Sequence, residues 1–162
     1  MHLSLVAELL VLVALANGTP VIAKKILGDR LAYPLDGGLR LADGQPVFGK
    51  SKTVRGIALC VIVTALCAPL LAMSYGIGAL VAVTAMAGDL LSSFTKRRLH
   101  LQPSSMFIGL AQVPESLLPA LACRAVLPLP LFDVVLIVAL FFVGEIAFSR
   151  LLYALKIRDR PY

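Results

Sequence analysis

The sequence predicts an all-α integral membrane protein with about five transmembrane helices, and three observations lead to that fold class. Of its 162 residues, 59% are hydrophobic and the mean hydropathy is +0.92, whereas only about half of a soluble domain is apolar. Several apolar runs approach the length of about 20 residues that crosses a bilayer as a helix. The basic residues cluster in alternate connecting segments, which is typical of loops on the cytoplasmic side.

The apolar runs define the expected membrane spans and a single membrane domain of residues 1–162. The spans are residues 3–23, 57–73, 77–93, 106–127 and 131–155. Between the first two lies a long polar loop, residues 24–56, which Gly and Pro punctuate heavily. No room remains for a separate soluble domain, so any chemistry must lie on helix ends and loops.

The distribution of Lys and Arg predicts the orientation of the spans. Basic residues concentrate in the 24–56 loop, in residues 94–105 and in the C-terminal tail, whereas the turns at 74–76 and 128–130 carry none. The positive-inside rule therefore places the N-terminus outside and the C-terminus in the cytoplasm. The prediction is a multi-pass protein of the cell (inner) membrane whose active face is cytoplasmic.

Charge and residue types narrow the classes of function. The net charge of +6 in an apolar chain without Trp indicates anionic lipid headgroups or phosphorylated substrates, and no nucleic acid. Cys60, Cys67 and Cys123 lie in apolar runs without metal-ligand spacing, so they are expected to be packing residues. No nucleophile set such as Ser-His-Asp is present. The sequence therefore favours phosphoryl or nucleotidyl transfer, because these reactions need mainly positioning and charge neutralisation from the protein.

The segment from Gly88 to Leu99 is the first candidate site. On a helix, Asp89, Ser93, Lys96 and Arg97 share one face, and Arg98 falls on the other. A carboxylate, a hydroxyl and two cations together suit a divalent metal and phosphate oxygens. The alternative is a basic stop-transfer end, which explains the three cations but not Asp89.

The segment 49–56 is the second candidate site. Cations alternate with hydroxyls just before a span begins: Lys50, Ser51, Lys52, Thr53 and Arg55. Thr53 is expected to cap that helix and turn its N-terminus toward an anion. The alternative is a solvated basic loop. Residues 44–51 match the P-loop pattern, but no α/β domain surrounds them, so only a Gly-rich loop that wraps phosphates through backbone N–H groups remains.

Several acids have two open interpretations. Asp36, followed by two glycines, is either a turn residue or a metal ligand. Glu115 interrupts an apolar run beside Pro114. Its carboxyl either faces a polar site or pairs with a polar group of another helix in the bundle. Asp43 is expected in a turn, and Glu145 is expected to find a bundle partner rather than a catalytic role.

The two candidate segments resemble motifs of one enzyme superfamily. The first is similar to the G-D-L-x-x-S-x-x-K-R signature of membrane CTP:phosphatidate cytidylyltransferases, with matches at Gly88, Asp89, Leu90, Ser93, Lys96 and Arg97. The second resembles the G-x-x-K-T-x-R-G element of the CDP-archaeol synthase branch, with matches at Gly49, Lys52, Thr53, Arg55 and Gly56.

This resemblance implies an activity and a set of roles. CTP, the co-substrate, and a glycerolipid phosphate would react with Mg²⁺ to give a CDP-lipid and pyrophosphate. Asp89 would bind the metal, and phosphates would be held by Ser93, Lys96 and Arg97. CTP would be covered by Lys52, Thr53 and Arg55. The expected partners are CTP, an anionic glycerolipid phosphate of ether or ester type, and the membrane. Association into a homo-oligomer is a further possibility that the sequence leaves open.

One position departs from the family pattern. Where members of the family carry a further Asp before Gln, this chain has Ala111-Gln112. Either a second metal ligand is missing, or Glu115 or Asp36 substitutes for it. Two rival functions follow: an accessory protein that has lost catalysis, and a small transporter whose acids Glu8, Glu115 and Glu145 line one polar path.

Overall fold

A computed structural model describes residues 2–101 and 112–154, with side chains up to residue 147. Within those ranges the chain forms five α-helices, and the only β-pairings are two isolated bridges. The helices are α1 (Leu3–Leu27), α2 (Val54–Cys67), α3 (Tyr75–Arg98), α4 (Gln112–Arg124) and α5 (Leu131–Ala154). The predicted all-helical class is confirmed.

Three helical segments are long and apolar enough to cross a membrane in the described part of the chain. They are α1, α3, and α2 continued by a 3₁₀ turn to Leu71. The five-span arrangement and its orientation remain predictions. The first part of the expected fourth span, with Ala111, and the basic tail after residue 154 lie outside the described residues.

The predicted helix boundaries need correction at the C-terminal ends of the first and third helices. The third helix does not stop at residue 93 but continues to Arg98, because Lys and Arg favour helices and their charges complement the negative C-terminal end of the helix dipole. The first helix likewise continues past residue 23 to Leu27, with Pro20 inside it.

The second span was also misplaced by a few residues. The helix α2 begins at Val54 rather than 57, because Thr53 caps it: the Thr53 Oγ1 accepts the Gly56 N–H at 3.1 Å. This capping role was predicted. The α-helix ends at Cys67, and the chain continues as the 3₁₀ turn Ala68–Leu71, which contains Pro69 near its start.

The helix α3 is the centre of the bundle, since it packs against α1, α2 and α4, while α5 packs against α4 and α1. The main core contains large aliphatic residues of α1 together with α5, among them Leu9, Leu12 and Ile137. At the end remote from the candidate site, the backbone N–H of His2 donates to the buried Asp133 carboxylate at 2.9 Å. This bond joins the start of α1 to the start of α5.

Two glycines of α3 allow helices to approach to backbone contact. A Cβ at Gly78 would lie 2.7 Å from the Thr64 carbonyl oxygen of α2. A Cβ at Gly88 would lie 2.3 Å from the Pro114 carbonyl oxygen and 2.8 Å from the Glu115 nitrogen of α4. Only glycine fits at these positions, and the second contact places the start of α4 beside Asp89.

Replacing Gly88 tests this contact. We expect Gly88→Ala to push α4 away from α3 and to destabilise the protein by about 1–3 kcal/mol, the usual cost of overpacking. The neighbouring atoms belong to backbone, so they cannot move aside as a flexible side chain would. Thermal unfolding of the purified protein in detergent measures the effect as a lower Tm.

The matched control is Gly18→Ala in α1, where an added Cβ would meet no atom within 4 Å. It should leave the Tm unchanged or raise it, because Ala favours the helix over Gly by roughly 0.8–1.0 kcal/mol. Equal Tm values for the two variants would contradict the close approach of α3 and α4.

Candidate functional site

The centre of the candidate site is an ion pair between the long loop and α3. The Lys52 Nζ lies 2.5 Å from both carboxylate oxygens of Asp89. Both side chains are mostly covered, with 22% and 20% of their surfaces exposed. The last residues of the loop therefore lie directly over the α3 face on which the sequence placed Asp89.

A second carboxyl group completes this centre. Glu115 lies in the first turn of α4 and is buried, and it lies within electrostatic range of Asp89. The close approach at Gly88 and Pro114 is what brings the two acids together.

Further charged groups surround the carboxyl pair. Lys96 lies two turns beyond Asp89 on α3, within electrostatic range of Glu115, Lys52 and Asp89. Glu145 of α5 also acts on Glu115 and on Lys96. The site therefore contains cations and acids from the loop, α3, α4 and α5.

Ser93 and Arg97 lie on the same stretch of α3 and are both buried. The Arg97 guanidinium donates to the Leu101 carbonyl at 2.9 Å. Its Nε lies against Gly49, where an added Cβ would be 3.5 Å away, and finds no hydrogen-bond partner in the described residues. This donor lies directly under the loop.

The opposite face of α3 holds the outer part of the loop. Arg98 pairs with Asp43 and donates to the Pro46 carbonyl at 2.7 Å, and its guanidinium lies 5.3 Å from the centre of the Phe94 ring. The backbone N–H of Gln45, which donates to the Asp43 carboxylate, and the Arg98 side chain lower the pKa of Asp43. Asp43 thus forms the predicted turn, and it also anchors the loop.

The loop has its own internal support at Asp36. Its carboxylate accepts backbone N–H groups from Gly38 at 3.0 Å and from Phe48 and Gly49 at 2.9 Å each. Burial acts to raise the pKa of Asp36, but these three amides outweigh it and lower the pKa below its ordinary value. The carboxylate is engaged by the loop itself.

The remaining predicted residues of the loop are not gathered at Asp89. Arg55 turns toward the end of α1, where it donates to the carbonyls of Arg30 and, at 3.0 Å, Gly28. The side chain of Thr53 is used as the cap of α2. Lys50 is exposed, and Gly49 has a φ of +91° that favours glycine.

The donor set fits a magnesium ion in part. No group of three or more potential metal-ligating side chains occurs among the described residues. Asp89 and Glu115 nevertheless form a carboxyl pair that Lys52, a cation, already covers. Magnesium is commonly held by one or two carboxylates together with substrate phosphates, so this pair has suitable chemistry.

Sequence reasoning missed two features of the site. The pairing of Lys52 with Asp89 joins residues 37 positions apart, and no local pattern reports such a contact. The pairing of Arg98 with Asp43 was also missed, and the opposite charges of the two residues were its only signal in the sequence. Glu145, which was expected to find a partner in the bundle, acts electrostatically on Glu115 of α4 and Lys96 of α3.

Known proteins resemble this chain over different lengths. A CDP-archaeol synthase of Hyperthermus butylicus is 39% identical over 93 residues, which cover 54% of this chain and 52% of that protein. One of Pyrobaculum calidifontis is 43% identical over 89 residues, 52% of each chain. These alignments therefore span about half the length of either relative. One of Sulfurisphaera tokodaii is 30% identical over 153 residues, 91% of this chain and 89% of that protein.

A solved structure shares the fold. It is that of an intramembrane enzyme for archaeal membrane lipid biosynthesis, and it matches 86% of this chain and 91% of its own with a TM-score of 0.67 and 23% identity. The family model CarS-like: CDP-archaeol synthase matches residues 4–162. That match runs through both the loop that carries Lys52 and the helix that carries Asp89, and the chain belongs to the CDP-archaeol synthase family.

Proposed function

We propose that this protein is a membrane cytidylyltransferase that transfers the cytidylyl group of CTP to an archaeol-type glycerolipid phosphate. The products are a CDP-lipid and pyrophosphate, formed at the cytoplasmic face of the membrane. The observation that carries the proposal is the contact of Lys52 with Asp89, near the buried Glu115, in a chain of the CDP-archaeol synthase family.

The proposed reaction needs no nucleophile from the protein. A phosphate oxygen of the lipid attacks the α-phosphorus of CTP, a new P–O bond forms, and the bond from the α-phosphorus to the bridging oxygen breaks. Pyrophosphate leaves with the electron pair of that bond. A phosphomonoester has a second pKa of about 6, so it is largely a dianion near neutral pH and needs no general base.

The residues around Asp89 are suited to gather the phosphates. Lys52 reaches the site from the loop, and Lys96 reaches it from α3. Arg97 adds an Nε donor beneath Gly49, and Ser93 adds a hydroxyl on the same helix face. Such fixed cations and donors stabilise the charge that develops when pyrophosphate departs.

Asp89 and Glu115 are the groups that would hold a Mg²⁺ ion. When bound, the ion neutralises phosphate charge and polarises the α-phosphorus. In the structure the Lys52 ammonium compensates this acidic pair. For Lys52 to engage phosphates, it must leave the Asp89 carboxylate, so the residue has two alternative partners.

The lipid is proposed to approach from the bilayer beside α2. An apolar groove of about 370 Å³ lies between the C-terminal end of α1 and the N-terminal part of α2. Its lining includes Leu27, Tyr33 and Leu59. Arg55 also lines the groove and donates to loop carbonyls. Hydrocarbon chains match this lining, and the basic loop above it matches an anionic headgroup.

The first test replaces the central carboxylate. We expect Asp89→Asn to lower CDP-lipid formation by more than about 100-fold. Mutating residues that only support the ligands of a metal site already lowers metal affinity or activity by about 10–100-fold, and Asp89 is proposed to be a ligand itself. The assay combines purified protein, Mg²⁺ and radiolabelled CTP with either digeranylgeranylglyceryl phosphate or phosphatidic acid. A preference for the first acceptor is expected.

Asp29→Asn is the control, since Asp29 is an exposed acid of the same loop with no side-chain bond among those described. It should retain full activity. If the folded wild-type protein forms no product with either lipid, the catalytic proposal is wrong and the accessory role is favoured.

A second test removes the covering cation. We expect Lys52→Met to lower turnover, because phosphates lose a ligand, yet to strengthen the binding of Mn²⁺ without nucleotide. A partly exposed ion pair contributes about 0.5–1 kcal/mol, so the Mn²⁺ affinity should rise roughly two- to fivefold. Electron paramagnetic resonance of free Mn²⁺ measures it.

The control for this second test is Lys25→Met, at an exposed lysine in the last turn of α1. Its Mn²⁺ affinity should equal that of the wild type. Weaker Mn²⁺ binding in Lys52→Met would mean that Lys52 does not compete with a cation for Asp89.

A further inference from the structure

The loop between α1 and α2 must be ordered for Lys52 to reach Asp89. Gly28 to Thr53 forms no helix, and its β-pairings are the bridges of Pro34 with Thr53 and of Arg40 with Pro46. Such a segment has many accessible conformations, and fixing each residue costs about 1–2 kcal/mol in entropy. Specific contacts must therefore select the conformation in which Lys52 faces α3.

The Asp36 carboxylate makes the densest set of such contacts. Its Oδ2 accepts the N–H groups of both Phe48 and Gly49, and its Oδ1 accepts that of Gly38. The first two bonds span 12 and 13 positions of sequence. One side chain thus joins the start of the loop to the segment just before Lys52.

A short series of backbone bonds continues from Asp36 to Lys52. The Gly49 carbonyl accepts the Lys52 N–H at 3.1 Å, and the Lys52 carbonyl accepts the Leu35 N–H at 2.8 Å. Lys52 is therefore held on one side through Gly49 and on the other through the residue next to Asp36. Both routes begin at the same part of the loop.

The oxygens of Asp36 are largely committed to this role. Each carboxylate oxygen has two lone pairs, and Oδ2 uses both of them on backbone amides. An Asn side chain in the same place would retain one acceptor oxygen but replace the other by an NH₂ group, which cannot accept. The substitution would remove at least one of the three bonds and weaken the others by removing the charge, while nearly preserving the volume.

We propose that Asp36 is a positioning residue that holds Lys52 on Asp89, and that it does not bind the metal. The proposal rests on the proposed function only in giving Lys52 a role with CTP, since the placement of Lys52 can be measured without turnover. It replaces the ligand role that the sequence alone left open for Asp36.

The test is Asp36→Asn, measured for Mn²⁺ binding without nucleotide. If Asp36 positions Lys52, its loss releases Lys52 from Asp89, and Mn²⁺ should bind roughly two- to fivefold more tightly, as in Lys52→Met. If Asp36 is a metal ligand, Mn²⁺ should bind more weakly. The two roles therefore predict opposite signs.

The double variant Asp36→Asn/Lys52→Met separates positioning from a general effect of charge. Its Mn²⁺ affinity should equal that of Lys52→Met alone, because residues that act through one contact are not additive. Asp29→Asn removes the same charge from the same loop and should leave the affinity unchanged. Additive effects, or an equal effect of Asp29→Asn, would overturn the proposal.

Hydrogen exchange of the backbone amides supplies a readout that needs neither metal nor activity. In Asp36→Asn, the amides of Phe48, Gly49 and Lys52 should exchange at least about tenfold faster, which corresponds to the loss of about 1.4 kcal/mol of protection. The helix α3 should be unaffected. Unchanged exchange at these three amides would overturn the proposal, even if wild type proved inactive.

Steady-state kinetics completes the test if the wild type is active. A misplaced Lys52 must be reordered when CTP binds, so the KM for CTP should rise about tenfold with little change in kcat. A collapse of kcat at unchanged KM would contradict positioning. Failure of the cytidylyltransferase proposal would appear as inactivity of every variant, with the exchange result still deciding the role of Asp36.

Discussion

The rest of the site depends on one electrostatic constraint, which is that carboxylates near a membrane interior must be compensated. Asp89 and Glu115 lie together on mostly buried helix faces, where an uncompensated charge is costly. The ammonium of Lys52, which pairs with Asp89, provides compensation within the protein itself. The loop is thereby tied to the bundle by the same charges that are proposed to serve the chemistry.

The helices supply the geometry in which this compensation is possible. The contact of Gly88 with Pro114 brings α4 against α3 at backbone distance, so Glu115 lies within electrostatic range of Asp89. On the other side of the bundle, Gly78 does the same for α2, whose capped start carries the loop. Charge and close packing therefore act on the same few residues.

The fold class and one face of the site could be predicted from the sequence, because hydropathy and the 100° helical repeat are local properties. Helix ends were less predictable, since the run from Lys96 to Arg98 is polar and yet helical. The pairing of Lys52 with Asp89 and the bonds of Asp36 depend on tertiary structure. For the same reason Arg55, which was expected over CTP, could not be oriented from its motif.

The unbroken course of α3 has a consequence for how chain length can vary among homologous proteins. Each residue inserted between Asp89 and Arg98 would rotate the following part of α3 by about 100°. The side chains that face the two acids and those that anchor the loop would then no longer point toward their partners. Insertions are far better tolerated near Asp29, where the loop is exposed and lies outside the Arg98 anchor. Homologues should therefore differ in loop length but share an invariant residue count along the end of α3.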